Sequence, residues 1–295
     1  MTSWRLATCV HAVLDALEAV EEICATDKSV LFSLCAGGII SSMPLGHLVA
    51  TGQEHRLAGF ALGVTLLDQS HAGLMASVTS PELVAAAAKS RADGILDARS
   101  LAAIFAWLRP GDLLWNYWVN NYLLGKQPPA FDVLYWNADS TRMAAELHAD
   151  FLHLGVDNSL SHPGQATALD SPVDLSQVTV DSYVVAGIAD HICPWASCYR
   201  SVHMMDGYSR FVLSTSGHIA ALVNPPGNPK AGYRVSEDLL PARTCSPPDN
   251  QPELVPARCT GRAWTARAPR STCSAAGNRC CSSWALAARW VCGDR

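Results

Sequence analysis

The sequence predicts an α/β fold in which helices cover both faces of a mostly parallel sheet. Of the 295 residues, 49% are hydrophobic and 16% are charged, the composition of a globular chain with a large buried core. Four short apolar runs alternate with helical patterns along the chain. Each run ends at small or polar residues, as buried parallel strands do where their loops begin.

The first half of the chain carries two of these strands. Apolar side chains such as Leu17 and Val20 recur at helical spacing before the first strand, and an Ala-rich stretch follows the second. The predicted elements are, in chain order, a helix over 8–25, a strand over 29–34, a helix that ends near Gly52, a strand over 57–67 and helical structure over 81–107. This alternation is typical of a parallel sheet.

The second half holds the other two strands, over 176–186 and 209–217, after an aromatic insertion at 109–140. The aromatic residues of the insertion are Trp115, Tyr117, Trp118, Tyr122, Phe131, Tyr135 and Trp136. Two interpretations have equal weight: a cap over the functional site, or a helical excursion packed on the sheet. The predicted parts of the chain are a core with the nucleophile at 1–108, a cap at 109–172, a second core part at 173–234 and a tail at 235–295.

The predicted tail differs in composition from the rest of the chain. From Arg243 onward there are eight arginines, six cysteines and no lysine. Zinc sites favour close pairs such as C-x-x-C, whereas these cysteines are irregularly spaced and no histidine follows His218. Out-of-frame translation of a GC-rich gene explains this composition better than a cysteine-rich binding tail. We therefore expect a disordered or out-of-frame segment.

Composition also excludes several classes of protein. A formal net charge of −5 gives no electrostatic basis for binding nucleic acid. No apolar run is long enough for a transmembrane segment, and the N-terminus lacks the pattern of a signal peptide. We therefore expect a cytoplasmic protein, in which scattered cysteines are separate thiols.

Cys35 lies where the first predicted strand gives way to a helix. The run SLCAGG at 33–38 surrounds it with small residues, which the sharp nucleophile elbow of α/β-hydrolases requires. Those enzymes usually have glycine two residues before the nucleophile, where this chain has Ser33. Taken alone, a cysteine at the end of a buried strand is more often a core residue.

Asp190 and His218 each follow one of the later predicted strands. The order nucleophile, acid, histidine is that of α/β-hydrolases. We therefore predict a Cys35–Asp190–His218 triad, in which His218 takes the thiol proton and Asp190 orients the imidazole. The backbone N–H of Ala36 is the predicted oxyanion donor.

Other polar residues near these positions have different interpretations. His191 is a rival base, but adjacent side chains on a tight loop point apart, so we interpret it as structural. Asp68 follows a strand too early in the chain for the acid, and is expected to lie at the site edge or to cap a turn. Cys193 and Cys198 are expected to be buried thiols. No metal site is expected.

Motifs beyond the triad resemble those of the polyhydroxyalkanoate synthase family over about four fifths of the chain. The cysteine box at 35–38 matches, as do the loops around Asp190 and His218. The other characteristic runs are NYWVNNYLLG at 116–125, PPAFD at 128–132, LYWN at 134–137 and NPPGNPK at 224–230. Together they are far more specific than a triad.

The resemblance implies an α/β-hydrolase fold and an acyltransferase that polymerises (R)-3-hydroxyacyl-CoA into polyester and releases CoA. The growing polyester chain would be held as a thioester on Cys35, with no cofactor. The family also implies a homodimer in the cytoplasm, at the surface of polyester granules. The aromatic insertion would correspond to the family's cap and contribute to the dimer contact.

Two differences from the family lead to further expectations. Its N-terminal domain and first core strands have no counterpart here, nor does the loop that normally supplies a second oxyanion donor, and its C-terminal segment is replaced by the tail. We therefore expect a fragment of a frameshifted or misannotated synthase gene. The alternative functions are a thioesterase or depolymerase with the same triad, and a non-catalytic granule-associated protein.

Overall fold

The computed structural model describes a central sheet with helices packed against it. The described residues are 4–72, 94–108, 110–128, 141–224, 228, 231–236 and 255–257. The strands are β1 (Ser29–Leu34), β2 (Leu57–Gly63), β3 (Ile95–Leu96), β4 (Met143–Ala144), β5 (Thr167–Ala168), β6 (Ser171–Pro172), β7 (Ser182–Gly187), β8 (Ser209–Ser214), β9 (Tyr233–Ser236) and β10 (Val255–Ala257). The α-helices are α1 (Leu6–Cys24), α2 (Ala36–Ala50), α3 (Ala98–Leu108), α4 (Ala145–Val156), α5 (Trp195–Val202) and α6 (Ala220–Val223).

Six strands form the central sheet in the order β1-β2-β7-β8-β9-β10. The first four are parallel, and β9 and β10 continue the sheet antiparallel. Ser33 lies beside Leu62, Leu62 beside Val184, and Val184 beside Phe211. The predicted α/β class with a mostly parallel sheet is confirmed.

The middle strands of this sheet form the core. Every residue of β7 and of β8 is buried, and Phe60, Val184 and Phe211 are fully covered. Continuous apolar runs produce this pattern because both faces of a parallel strand are covered. Burial of each large apolar side chain contributes about 2 kcal/mol. The core thus fixes the strand ends that carry the polar loops.

Helix α1 packs beside α2 at the β1 end of the sheet. Leu6 and Val10 are its buried residues. Glu21, in the same helix, accepts hydrogen bonds from Arg56 at 3.0 Å (Nε to Oε1) and 2.8 Å (Nη2 to Oε2). This half-buried pair ties α1 to the residue just before β2.

The strands predicted over 57–67 and 176–186 are both shorter in the structure. The second apolar run leaves the sheet at Gly63, because Val64 has a φ of 46° that no strand continues. The run at 176–186 enters the sheet only at Ser182. Before it, the Glu54 carboxylate accepts hydrogen bonds from the backbone N–H groups of Thr179 and Val180 at 2.6 and 3.0 Å.

The helical prediction at 81–107 lies partly outside the described residues. Within them, Ile95–Leu96 forms β3, which pairs with β4, and the helix begins at Ala98. Between the two elements, the Asp97 carboxylate accepts the N–H of Arg99 at 3.1 Å, in the first turn of the helix. The helical prediction was therefore wrong for these two strand residues.

The predicted cap and tail are described only in part. After α3, two π-helical segments cover Gly111–Trp115 and Trp118–Leu123, while 129–140 lies outside the described residues. Of the tail, only 235–236 and 255–257 are described, as parts of β9 and β10. The four-part division stays a prediction. Within the described ranges, no helix combines the length and apolarity needed to cross a membrane.

Candidate active site

Cys35 occupies a sharp turn between β1 and α2. Its φ of 50° and ψ of −125° are sterically unfavourable for a residue with a side chain. Two hydrogen bonds hold the turn: the Cys35 N–H donates to the Gly63 carbonyl at 2.8 Å, and the Thr65 hydroxyl donates to the Cys35 carbonyl at 3.0 Å. This strand–turn–helix geometry is that of a nucleophile elbow.

Small residues allow the turn to pack. A Cβ on Gly38 would overlap the Thr65 side chain and lie 2.9 Å from Leu62 Cδ2, so only glycine fits there. Ser33, which stands where glycine is usual, is buried and donates a hydrogen bond to Ser41 Oγ at 2.6 Å. The serine hydroxyl therefore has a partner in α2, and the substitution does not prevent the elbow.

Asp190 and His218 follow β7 and β8, which are neighbours in the sheet. His218 Nδ1 lies 2.7 Å from Asp190 Oδ2. The other carboxylate oxygen, Oδ1, accepts the backbone N–H groups of Ile192 and Cys193, both at 2.9 Å. Both oxygens of Asp190 are thus engaged, and the one that faces an imidazole is held by His218.

Close contact between the two loops depends on Gly187. A Cβ at this position would collide with the carbonyl oxygen of Ser216. Without that obstruction, Ile188 N–H donates to Ser214 at 2.8 Å and Ala189 N–H donates to Ser216 at 3.2 Å. The backbone itself therefore sets the distance between the acid and the histidine.

The structure brings Cys35 to the same place. The sulfur atoms of Cys35 and Cys193 and a ring nitrogen of His218 all lie within 4.8 Å of one another. Because Nδ1 faces Asp190, Nε2 is the ring nitrogen left for Cys35. The predicted nucleophile, acid and base are thus adjacent, and Cys193 joins them.

Electrostatics at this cluster favours an ion pair. Hydrogen bonding from Cys193, then from His218 and the Ala36 N–H, lowers the pKa of Cys35 to about 5 despite its burial. Burial lowers the pKa of His218, but Asp190 and Cys35 outweigh it and raise the pKa to about 9. Thiolate and imidazolium therefore coexist between those two values.

Ala36 is the first residue of α2, directly after the turn, and its N–H contributes to stabilising sulfur charge at Cys35. Asp68 caps the 3₁₀ turn that begins at Gln69: its Oδ1 accepts the Ser70 N–H at 2.9 Å and an Asn158 amide N–H at 3.0 Å. Asp68 thus caps the turn after β2, as one of its two interpretations predicts.

Sequence reasoning missed the place of Cys193. Cys193 and Cys198 are both buried, at 4% and 0% exposure, as expected. Cys193, however, lies beside the Cys35 sulfur. Its position three residues after Asp190 was the available signal, because a tight loop that delivers the acid also delivers its close neighbours.

Two thiols and an imidazole are also zinc-type donors. Among the described residues, Cys35, Cys193 and His218 form the group of at least three such donors close enough to share an ion. The His218 ring lies between a buried carboxylate and an elbow thiol, which is the arrangement of a base and its nucleophile. The geometry of the group is therefore that needed for proton transfer and nucleophilic attack.

Comparison with solved structures gives a hydrolase from Pseudomonas aeruginosa PA01, at 18% identity and a TM-score of 0.42, covering 74% of this chain and 66% of that one. A monoacylglycerol lipase from Paleococcus ferrophilus has 13% identity and a TM-score of 0.40, over 73% and 67% of the two chains. The α/β-hydrolase fold itself follows from the parallel sheet order, the elbow and the two loops. No protein-family model matches the chain.

Comparison with curated proteins gives much higher identity. Poly(3-hydroxyalkanoate) polymerase 2 of Ectopseudomonas oleovorans is 48% identical over 239 residues, which are 80% of this chain and 42% of that protein. A poly(3-hydroxyalkanoate) polymerase subunit of Cupriavidus necator is 36% identical over 236 residues, 78% and 40% of the two chains. The chain spans about two fifths of the length of these relatives. Over the matched segment, the chain belongs to the poly(3-hydroxyalkanoate) polymerase family.

Proposed function

We propose that this chain is an acyltransferase that extends a polyester from (R)-3-hydroxyacyl-CoA, with Cys35 as nucleophile, His218 as base and Asp190 as the orienting acid. One observation carries the proposal. The His218 ring connects a buried carboxylate at 2.7 Å to the thiol of a nucleophile elbow, in a segment homologous to poly(3-hydroxyalkanoate) polymerases.

Loading of Cys35 begins from the thiolate. Its sulfur attacks the thioester carbonyl of the acyl-CoA, and the Ala36 N–H stabilises the oxyanion that forms. The bond between the carbonyl carbon and the CoA sulfur then breaks. The departing CoA sulfur takes a proton from the His218 imidazolium, so CoA leaves as a thiol and the acyl group stays on Cys35.

Elongation uses the same residues in reverse. His218, now neutral, takes the proton from the hydroxyl of the incoming hydroxyacyl group, and the oxygen attacks the thioester on Cys35. The C–S bond breaks and Cys35 leaves as a thiolate, which the neighbouring imidazolium stabilises. A low thiol pKa favours this step because a more stable thiolate is a better leaving group.

The proposal extends to partners. Acyl transfer between thioester and alcohol needs no cofactor beyond the CoA substrate. The chain acts as a homodimer at the surface of cytoplasmic polyester granules. The exposed side chains of Trp115, Trp118 and Tyr122 in the cap region support the dimer. Large aromatic side chains exposed together are typical of a protein–protein contact, and a second copy of the chain would cover them.

The decisive experiment supplies (R)-3-hydroxybutyryl-CoA to the purified chain and measures released CoA, free acid and polymer together. We expect CoA release matched by polymer, with a hydroxyacyl adduct on the Cys35 peptide in mass spectra of the quenched reaction. Cys35→Ala should abolish adduct and CoA release, whereas Cys24→Ala, which removes an exposed thiol, should leave both unchanged.

The other outcomes separate the alternatives. CoA release matched by free acid would indicate a thioesterase. Folded protein without a Cys35 adduct would overturn the proposal in favour of a non-catalytic role.

A further inference from the structure

Cys193 is a second thiol within the catalytic cluster that the acyl-transfer steps do not use. It is 4% exposed, and its sulfur lies within 4.8 Å of the Cys35 sulfur and of a His218 ring nitrogen. A buried polar atom this close to a reacting sulfur affects it through hydrogen bonding or through packing.

The Cys193 backbone is fixed by hydrogen bonds on both sides. Its N–H donates to Asp190 Oδ1 at 2.9 Å, and its carbonyl accepts the Cys198 thiol at 3.8 Å. Asp190 therefore places two groups around Cys35: it orients His218 through Oδ2 and holds the Cys193 loop through Oδ1.

Charge determines the direction of any hydrogen bond between the two thiols. The groups that face Cys193 are Cys35, Cys198, Asp190 and His218. Interaction with Cys35 and burial both hold the pKa of Cys193 well above its ordinary value. Cys193 therefore stays protonated while Cys35 is a thiolate, so the S–H donates and the thiolate accepts.

We propose that Cys193 is a positioning residue whose S–H donates a hydrogen bond to the Cys35 sulfur and stabilises it as a thiolate. In the resting chain this keeps the nucleophile ready to attack. The same bond stabilises Cys35 as the leaving group of elongation, and this second part rests on the proposed function.

The test measures the alkylation rate of Cys35 by iodoacetamide against pH, in the full chain with EDTA and with mass-spectrometric mapping of the Cys35 peptide. Cys193→Ala removes the donor and should raise the alkylation midpoint by about one pH unit. Cys193→Ser keeps a donor of similar size and should restore a midpoint near that of the unsubstituted chain. Cys24→Ala, which removes an exposed thiol at the end of α1, should also leave the midpoint near its original value.

An unchanged midpoint in folded Cys193→Ala would overturn the proposal, as would an equal shift in Cys24→Ala. If circular dichroism shows that Cys193→Ala is unfolded, Cys193→Val supplies a larger side chain without a donor and takes its place. The assay uses no acyl-CoA, so its result is independent of whether the chain makes polymer.

Discussion

The catalytic edge of the sheet, which carries Cys35, Asp190 and His218, is largely shielded from solvent. The aromatic segment, the described residues of 98–124, instead exposes large apolar side chains. At the catalytic edge, ionisable groups are buried and paired, and Asp190 is 7% exposed. In the aromatic segment large apolar groups face outward: Trp107 is 65% exposed and Tyr122 is 71% exposed. Trp118 stacks on Tyr122 with ring centroids 4.5 Å apart, so the exposed rings are ordered against each other.

The described chain covers the groups of its catalytic edge by itself but leaves the rings of the aromatic segment exposed. Chemical groups at the catalytic edge find their partners within one copy of the chain. The aromatic segment lacks equivalent cover, which is why we place the dimer contact there. Changes at the catalytic edge should therefore alter chemistry or folding, and changes in the aromatic segment should alter association.

The largest effect should follow the loss of the acid charge. Asp190→Asn keeps the size of the side chain but removes the charge that stabilises the His218 imidazolium, so we expect CoA release to slow by about 10²- to 10⁴-fold. The matched control is Asp157→Asn at the exposed end of α4. Steady-state kinetics with the acyl-CoA would contradict the assignment if Asp190→Asn kept at least half of the original rate.

The next effect concerns the packing of the elbow. In Gly38→Ala the new methyl group overlaps Thr65, whose hydroxyl holds the Cys35 carbonyl, so the free energy of unfolding should fall by about 2 kcal/mol. Gly37→Ala is the matched control, because the new methyl group would meet nothing within 4 Å. Its free energy of unfolding should rise by up to about 1 kcal/mol, since alanine has the higher helix propensity. Urea unfolding of both variants measures the difference. Equal values would show that the elbow is not tightly packed.

A smaller effect should appear in the pH dependence of thiol reactivity. The pKa of Cys35 is lowered to about 5, so its thiolate is present at neutral pH and is lost only as the pH falls through that value. Burial, then Asp150, raise the pKa of Cys9, so Cys9 becomes a thiolate only in alkaline solution. At pH 7, iodoacetamide should therefore modify Cys35 at least about tenfold faster than Cys9. Equal rates would contradict the thiolate–imidazolium pair.

The smallest effect should be on association. Tyr122→Ser removes one ring from the aromatic segment and should raise the dissociation constant of the dimer about fivefold, as removal of a moderately important interface side chain does. Tyr208→Ser, at an exposed tyrosine before β8, is the control and should not change it. Sedimentation velocity over a concentration series measures both. An unsubstituted chain that stays monomeric at all concentrations would contradict a dimer contact at the aromatic segment.

Much of the fold could be predicted because burial leaves a clear pattern. The strands before Cys35, Asp190 and His218 are apolar runs, and each ends within a few residues of its functional group. The end of β2 was harder, because Val64 and its neighbours are as apolar as the strand itself. Only the backbone turn at Val64 distinguishes buried loop from buried strand there.

The polar contacts within the site were less predictable. No sequence pattern indicates that Asp190 divides its oxygens between His218 and the Cys193 loop, since that depends on loop geometry at the 1 Å scale. Nor could the serine at position 33 be interpreted until its partner Ser41 was known. Contacts between residues distant in sequence, such as Cys35 with Cys193, need the assembled sheet.

That assembly has a practical consequence. The sheet order separates β1 from β7 and β8 by β2, so the nucleophile meets its base only when all four strands have docked. A partly folded molecule therefore holds all the functional groups but no working centre. Under the proposed acyl transfer, the fraction of chains that form a Cys35 adduct would then count the fully folded molecules in a preparation. Long-range pairings of this kind form slowly, so adduct formation should be the last native property to return on refolding.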